Sequence, residues 1–125
     1  MGNYKRKYEG YTTDLKKLEK FAEMAIFRTN ETGVRYPLEI TPLTGIKHEA
    51  RIKVIGNGWK LSFDLYPPFT KRGRVKITDF NSEDEKATIA FIKKNQKGLI
   101  DFWNKVIKSN EELRKIIKKP SKDEK

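Results

Sequence analysis

The chain has 125 residues, with 28 Lys or Arg against 17 Asp or Glu, a formal net charge of +11 and a sequence pI near 9.8. That length fits one domain, and 36% hydrophobic residues with seven Phe, five Tyr and two Trp supply one modest core, which excludes wholesale disorder. The absence of cysteine excludes disulfide scaffolds, thiolate zinc sites and thiol catalysis, and no apolar run approaches a signal peptide or the roughly 20 residues of a membrane span, so a soluble cytoplasmic protein is expected.

Along the first 27 residues, Tyr4, Tyr8, Tyr11, Leu15, Leu18, Ala22 and Ala25 recur at steps of four and three, on one side of a helix. The spacing predicts a helix from about Asp14 to Phe27, with Thr13 or Asp14 as N-cap, ending before the Asn30 to Gly33 turn cluster. Lys5, Arg6 and Lys7 among these tyrosines suit base stacking with phosphate contacts. The same tyrosines extend the apolar stripe, so burial against the domain is their expected use.

The middle of the chain reads as β-structure. Asn57-Gly58 suits a type I′ turn, and placing the turn there pairs Gly56 with Trp59, Val54 with Leu61, Ile52 with Phe63 and Ala50 with Leu65. The apolar residues so paired then fall on one face, leaving Arg51, Lys53, Lys60, Ser62 and Asp64 on the other. Tyr36 to Thr41 forms a further candidate strand, and Arg74 to Thr78 alternates with Val75 and Ile77 inward. A three- or four-stranded antiparallel meander follows.

Ser82 with Glu85 makes a capping-box pattern, and Glu83 and Asp84 complement the dipole of the helix it opens. From there Ile89, Ile92, Gln96, Leu99, Trp103, Val106, Asn110, Leu113 and Ile117 repeat at helical spacing. One long helix satisfies this stripe. Gly98 inside it, and a second capping box at Ser109 and Glu112, equally allow a helix, a bend and a short further helix. The expected fold is a single α+β domain over residues 1–119: an N-terminal helix, the meander, and a long or bent C-terminal helix. Pro120 ends it, with 120–125 a disordered polar tail.

Catalytic chemistry finds few residues. His48 is the only histidine, and neighbouring Glu49 points to the opposite face if the two lie in a strand, so they form no acid–base pair. A lone imidazole is a poor metal site, and Glu83, Asp84 and Glu85 are explained by the helix N-terminus. Gly56 and Gly58 belong to a hairpin and do not cradle phosphate. No catalytic residue, metal ligand or cofactor is assigned; the enzymatic alternative is a metal-dependent nuclease gathering carboxylates from distant segments.

The informative constellation is Tyr66-Pro67-Pro68-Phe69-Thr70-Lys71-Arg72-Gly73-Arg74. Two prolines are expected to keep it extended, and Gly73 allows a turn where three cations crowd. If Tyr66 and Phe69 project outward, they place π-faces beside Lys71, Arg72 and Arg74, a combination suited to a nucleic-acid strand. Arg51, Lys53 and Lys60 on the outer sheet face extend the patch, interrupted by Asp64. The competing reading has both rings closing the core edge and the cations merely solvated. The charge itself is spread evenly, 12 basic and 7 acidic residues through Ser62 against 16 and 10 beyond it, and 21 of the 28 cations are Lys, as in a general surface bias.

Lys93, Lys94, Lys97, Lys105, Lys108, Arg114, Lys115, Lys118 and Lys119 surround the C-terminal stripe and offer further phosphate contacts. Ile100, Phe102 and Ile107 widen its apolar side, which suits a protein partner or a homodimer.

Phe91, Ile92, Asn95, Leu99, Ile100, Trp103 and Asn104, in the run FIKKNQKGLIDFWN, resemble the closing helix of small bacterial proteins of unknown function found near toxin–antitoxin or mobile-element genes, and ARIKV, Ala50 to Val54, is similar to their central strand. The resemblance, over residues 50–104, implies a prokaryotic or phage setting and brings no catalytic residue with it. The expected function is a non-enzymatic nucleic-acid-binding protein using Tyr66, Phe69, Lys71, Arg72, Arg74, Arg51, Lys53 and Lys60. The alternative is an antitoxin-like or inhibitory interaction module working through the C-terminal helix.

Overall fold

A computed structural model describes residues 24–42 and 49–124. The tyrosine stripe, the expected helix as far as Glu23, and His48 lie outside the described residues. The rest is α+β. Five antiparallel strands follow one another in sheet order as in sequence: β1 (Ala25–Phe27), β2 (Leu38–Ile40), β3 (Arg51–Ile55), β4 (Lys60–Asp64) and β5 (Lys71–Arg72). Between β1 and β2 lies a short helix, α1 (Thr29–Thr32). After the sheet come α2 (Ser82–Trp103), α3 (Asn110–Ile116) and a 3-10 turn at Lys122–Glu124.

The meander is thus one strand richer than expected. Ala25 to Phe27, read as the last turn of a helix, pairs with β2 in the register Ala25↔Ile40 and Phe27↔Leu38. Ala25 and Phe27 are buried and Ile26 is not, so a period of two replaces the period of 3.6 here. Tertiary pairing overrides local propensity in a segment this short. The turn cluster expected at 30–33 is the short helix α1, closed by Gly33 at φ 81°.

The central hairpin has the expected register, with Val54↔Leu61 and Ile52↔Phe63 paired, Gly56 N donating to Trp59 O and Leu65 N donating to Ala50 O. Its turn differs from type I′. Gly58 has φ 85°, whereas Asn57 is not among the residues of positive φ. The strand expected at Arg74 to Thr78 lies earlier, at Lys71–Arg72, because the chain reverses at once: Phe69 N donates to Tyr66 O and Asp64 N to Thr70 O. The prolines therefore sit in a tight turn and not in an extended run. Val75 packs partly against the core, but Ile77, expected inside, is 73% exposed.

One face of the sheet and one side of α2 make a single core. Phe27, Leu38, Ile40, Ile52, Val54, Leu61 and Phe63 join Phe91, Ile92, Leu99 and Phe102, all essentially without solvent contact. Each such side chain contributes roughly 1.5–3 kcal/mol by burial. Tyr36, Trp59, Phe63 and Phe80 close one end of it, with the Tyr36 and Trp59 rings edge to face at 4.8 Å.

The capping box that opens α2 is Asn81 with Asp84, one residue before the expected Ser82 and Glu85. Asp84 Oδ2 accepts from Asn81 N at 2.9 Å, and both carboxylate oxygens also accept from Arg35, at 3.2 and 2.8 Å. Of the two arrangements allowed for the C-terminal stripe, the chain takes the broken one, with Ser109 as N-cap of α3. Within α2 the helical geometry is interrupted at Asn95 and not at Gly98. Asn95 is buried; its Nδ2 donates to Phe91 O and Lys118 O, while Lys118 N donates to its Oδ1, which ties the chain after α3 to the kink. Pro120 is buried too, and where a disordered tail was expected Glu124 accepts from Ser121 N and pairs with Lys94.

Helix α3 also closes the edge of the sheet. Asn110 Nδ2 donates to Met24 O at 3.4 Å and Arg114 Nη2 to Ile26 O, so side chains take up a carbonyl of β1 and the one just before it. The opposite edge, β5, is two residues long and fully charged, another device that discourages strand addition.

Candidate nucleic-acid interface

Register places the outer-face residues in rows. Ile26, Glu39, Lys53, Ser62 and Arg72 stand opposite one another across all five strands, with Arg51↔Asp64 on one side of this row and Ile55↔Lys60 on the other. Four of the eight residues singled out from sequence, Arg51, Lys53, Lys60 and Arg72, therefore share one face.

Their charges are not equally available. Asp64, expected as an exposed interruption, has a side chain only 8% exposed because two guanidinium groups cover it. Arg72 Nε and Nη2 donate to Asp64 Oδ1 and Oδ2 at 3.0 and 2.9 Å, a bidentate pair. Arg51 Nε lies 3.4 Å from Oδ1, buried, and without a hydrogen bond. Hydrogen bonding from Arg72 is the main cause that holds the Asp64 carboxyl below its ordinary range, with the charges of Arg72 and Arg51 adding to it.

Lys71 leaves the patch altogether. It pairs with Phe63, an inward position, and so reaches toward α2, where its Nζ lies 3.2 Å from Glu85 Oε1. Gly73, at φ 112°, then turns the chain off the sheet edge toward Arg74, as expected. Among the described residues, the side chains of Lys53, Lys60 and Arg74 have no ion-pair or hydrogen-bond partner. Lys53 and Lys60 are diagonal neighbours across the hairpin, both exposed.

The two aromatic rings of the loop part company. Phe69 is half-buried against the core, at φ 58°, with Lys93 Nζ 5.9 Å above its ring. It closes the core edge, as the competing reading had it. Tyr66 is 42% exposed, and among the described residues it is the aromatic side chain left to solvent. Among the described residues, no strand contributes an aromatic ring to the outer face. The surface offers cations without a stacking platform, apart from Tyr66 at its rim.

Sequence reasoning missed the role of Asp64, although the Arg51–Asp64 opposition follows from the hairpin register it established. Arg72 was out of reach, since its alignment with Ser62 depends on the reversal at Tyr66 to Phe69. Of the residues read as a C-terminal apolar surplus, Phe102 is buried and Ile100 and Ile107 pack partly against the core, while Val106 and Ile116 in the same stretch stay exposed. Among the described residues no group of three His, Asp or Glu is placed to hold a metal ion, and no helix is long and apolar enough to cross a membrane.

Fold and surface together define an α+β protein whose antiparallel meander has one face in the core and a basic opposite face. No protein-family model, curated protein or solved structure matches the chain.

Proposed function

We propose that this protein is a non-enzymatic nucleic-acid-binding protein whose outer sheet face contacts phosphates. The observation that carries this reading is the pair of unpaired cations Lys53 and Lys60 on a face otherwise organised by internal ion pairs, with unpaired Arg74 just beyond its β5 edge. Unpaired cations release counterions from a polyanion on binding, whereas a cation already matched to a carboxylate contributes less. The lack of aromatic residues on the outer face of the described strands favours backbone contacts over base recognition, so binding is largely blind to sequence and accepts single strands and duplexes. The likeness of residues 50–104 to small proteins near mobile-element genes supports a prokaryotic or phage setting for this activity.

Fluorescence anisotropy with labelled single- and double-stranded oligonucleotides over a salt series tests the reading. Three phosphate contacts predict a slope of log K against log salt of about −2 for single strands and about −3 for duplex. The combined Lys53→Gln, Lys60→Gln and Arg74→Gln variant loses most of this binding while folding normally. If the wild-type chain binds neither oligonucleotide at low salt, the proposal fails. Reversal of Lys71 and Arg72 is a poor test, because it breaks the pairs with Glu85 and Asp64.

A further inference from the structure

The Arg72–Asp64–Arg51 cluster stands at the β5 side of this face, spanning β3, β4 and β5. Arg72 faces Ser62, and Ser62 faces Lys53, so a phosphate track along the row meets Lys53 and then Arg72. The Arg72 side chain is 48% exposed, yet its Nε and Nη2 are turned onto the carboxylate. Asp64 cannot withdraw, because it lies within β4, its amide donates to Thr70 O, and its side chain is enclosed. Three charged groups thereby act as one net positive charge where two free guanidinium groups would present two. The carboxylate occupies the part of the Arg72 fork that an incoming phosphate would otherwise take.

We infer that Asp64 attenuates the affinity of the outer face for nucleic acid by neutralising Arg72 from within the sheet. This inference rests on the phosphate-binding reading above. It assigns the built-in carboxylate a role in keeping the interaction weak and reversible, a property suited to a protein that must leave one site on a polymer to reach another.

The test uses the full chain and a labelled oligo(dT) probe. Asp64→Asn keeps the shape and one acceptor but removes the charge, and it should tighten low-salt binding by about threefold or more and steepen the salt slope by nearly one phosphate contact. The Asp64→Asn/Arg72→Gln double variant restores the original net charge of the cluster, and its affinity should return to within about twofold of wild type. Thermal melting establishes that each variant is folded; if Asp64→Asn alone is not, the double variant decides. The inference is overturned if folded Asp64→Asn binds no more tightly than wild type, or if the double variant loses as much affinity as Lys53→Gln, which would make Arg72 a direct contact held in place by Asp64. These outcomes require that the wild-type chain binds; absence of wild-type binding instead removes the nucleic-acid reading and this inference with it.

Discussion

Gly98 of α2 lies directly against Ile116 of α3: a methyl group built on Gly98 would stand 3.0 Å from Ile116 Cδ1 and 3.6 Å from Leu113 Cδ1. The close approach lets the short helix fold back onto the long one. Ile116 is 49% exposed and meets the site with the tip of its side chain, so it can rotate away from one added carbon. A glycine in a helix interior costs about 0.8–1.0 kcal/mol relative to alanine, more than the small displacement. Gly98→Ala is therefore expected to stabilise the protein by about 0.5 kcal/mol in urea unfolding. Gly98→Leu should destabilise it, since no rotation of Ile116 makes room for a branched side chain.

Arg114 joins three structures through one guanidinium. It donates to Ile26 O and to Glu31, 3.2 Å away, and its Cζ stands 5.3 Å from the centre of the Phe27 ring. Arg114→Ala should cost about 1–3 kcal/mol, the range for losing charged hydrogen bonds at a partly buried acceptor. Arg114→Lys should recover less than half of that loss, because an ammonium cannot reproduce the planar fork. The midpoints of chemical denaturation for the three proteins rank these effects.

The Asp64 pair predicts a pH dependence of definite sign. Its carboxyl titrates below the ordinary value of 3.8 in the folded protein, chiefly through the Arg72 hydrogen bonds, so the folded state binds fewer protons than the unfolded one. The stabilisation is complete above that ordinary value and disappears as pH falls below it through the folded value. Wild type and Asp64→Asn should accordingly differ in stability near neutral pH and converge in acid, where the wild-type carboxyl is also neutral. Denaturation curves from about pH 7 to about pH 2 measure the convergence. Parallel profiles would show that the ion pair contributes nothing to stability.

Phe69 and Tyr66, three residues apart, should behave as scaffold and as surface. Phe69→Ala removes a half-buried ring and is expected to cost about 1–2 kcal/mol, less than the 3–5 kcal/mol of a fully buried aromatic. Tyr66→Ala should change stability by less than about 0.5 kcal/mol. If the Tyr66 ring stacks on an unpaired base, its loss weakens single-strand binding by about tenfold and leaves duplex binding unaltered. Unfolding and anisotropy on the two variants separate the roles.

The hairpin around Asn57-Gly58 was legible because a strand has a period of two: once the turn is placed, a shift of one residue would expose Ile52, Val54, Leu61 and Phe63 together. Helix α2 was legible because its apolar stripe and acidic first turn both mark the same start to within one residue. Ala25 to Phe27 was not, because three residues fit either period and only the presence of β2 alongside decides between them. The 66–74 loop was visible as a meeting of cations and rings, but not as a hairpin.

Composition, strand alternation and helix periodicity thus determined an α+β protein with a basic outer sheet face, since those signals are local and repeat along the chain. Which charges on that face remain available was decided only by the tertiary structure. The turn at Tyr66 to Phe69 sets the register of β5, carries Arg72 over Asp64, sends Lys71 to Glu85 and leaves Lys53, Lys60 and Arg74 unpaired among the described residues. A cation's worth to a polyanion depends on the carboxylate nearest to it in space, and that neighbour is eight residues away in sequence for Arg72 and 13 for Arg51.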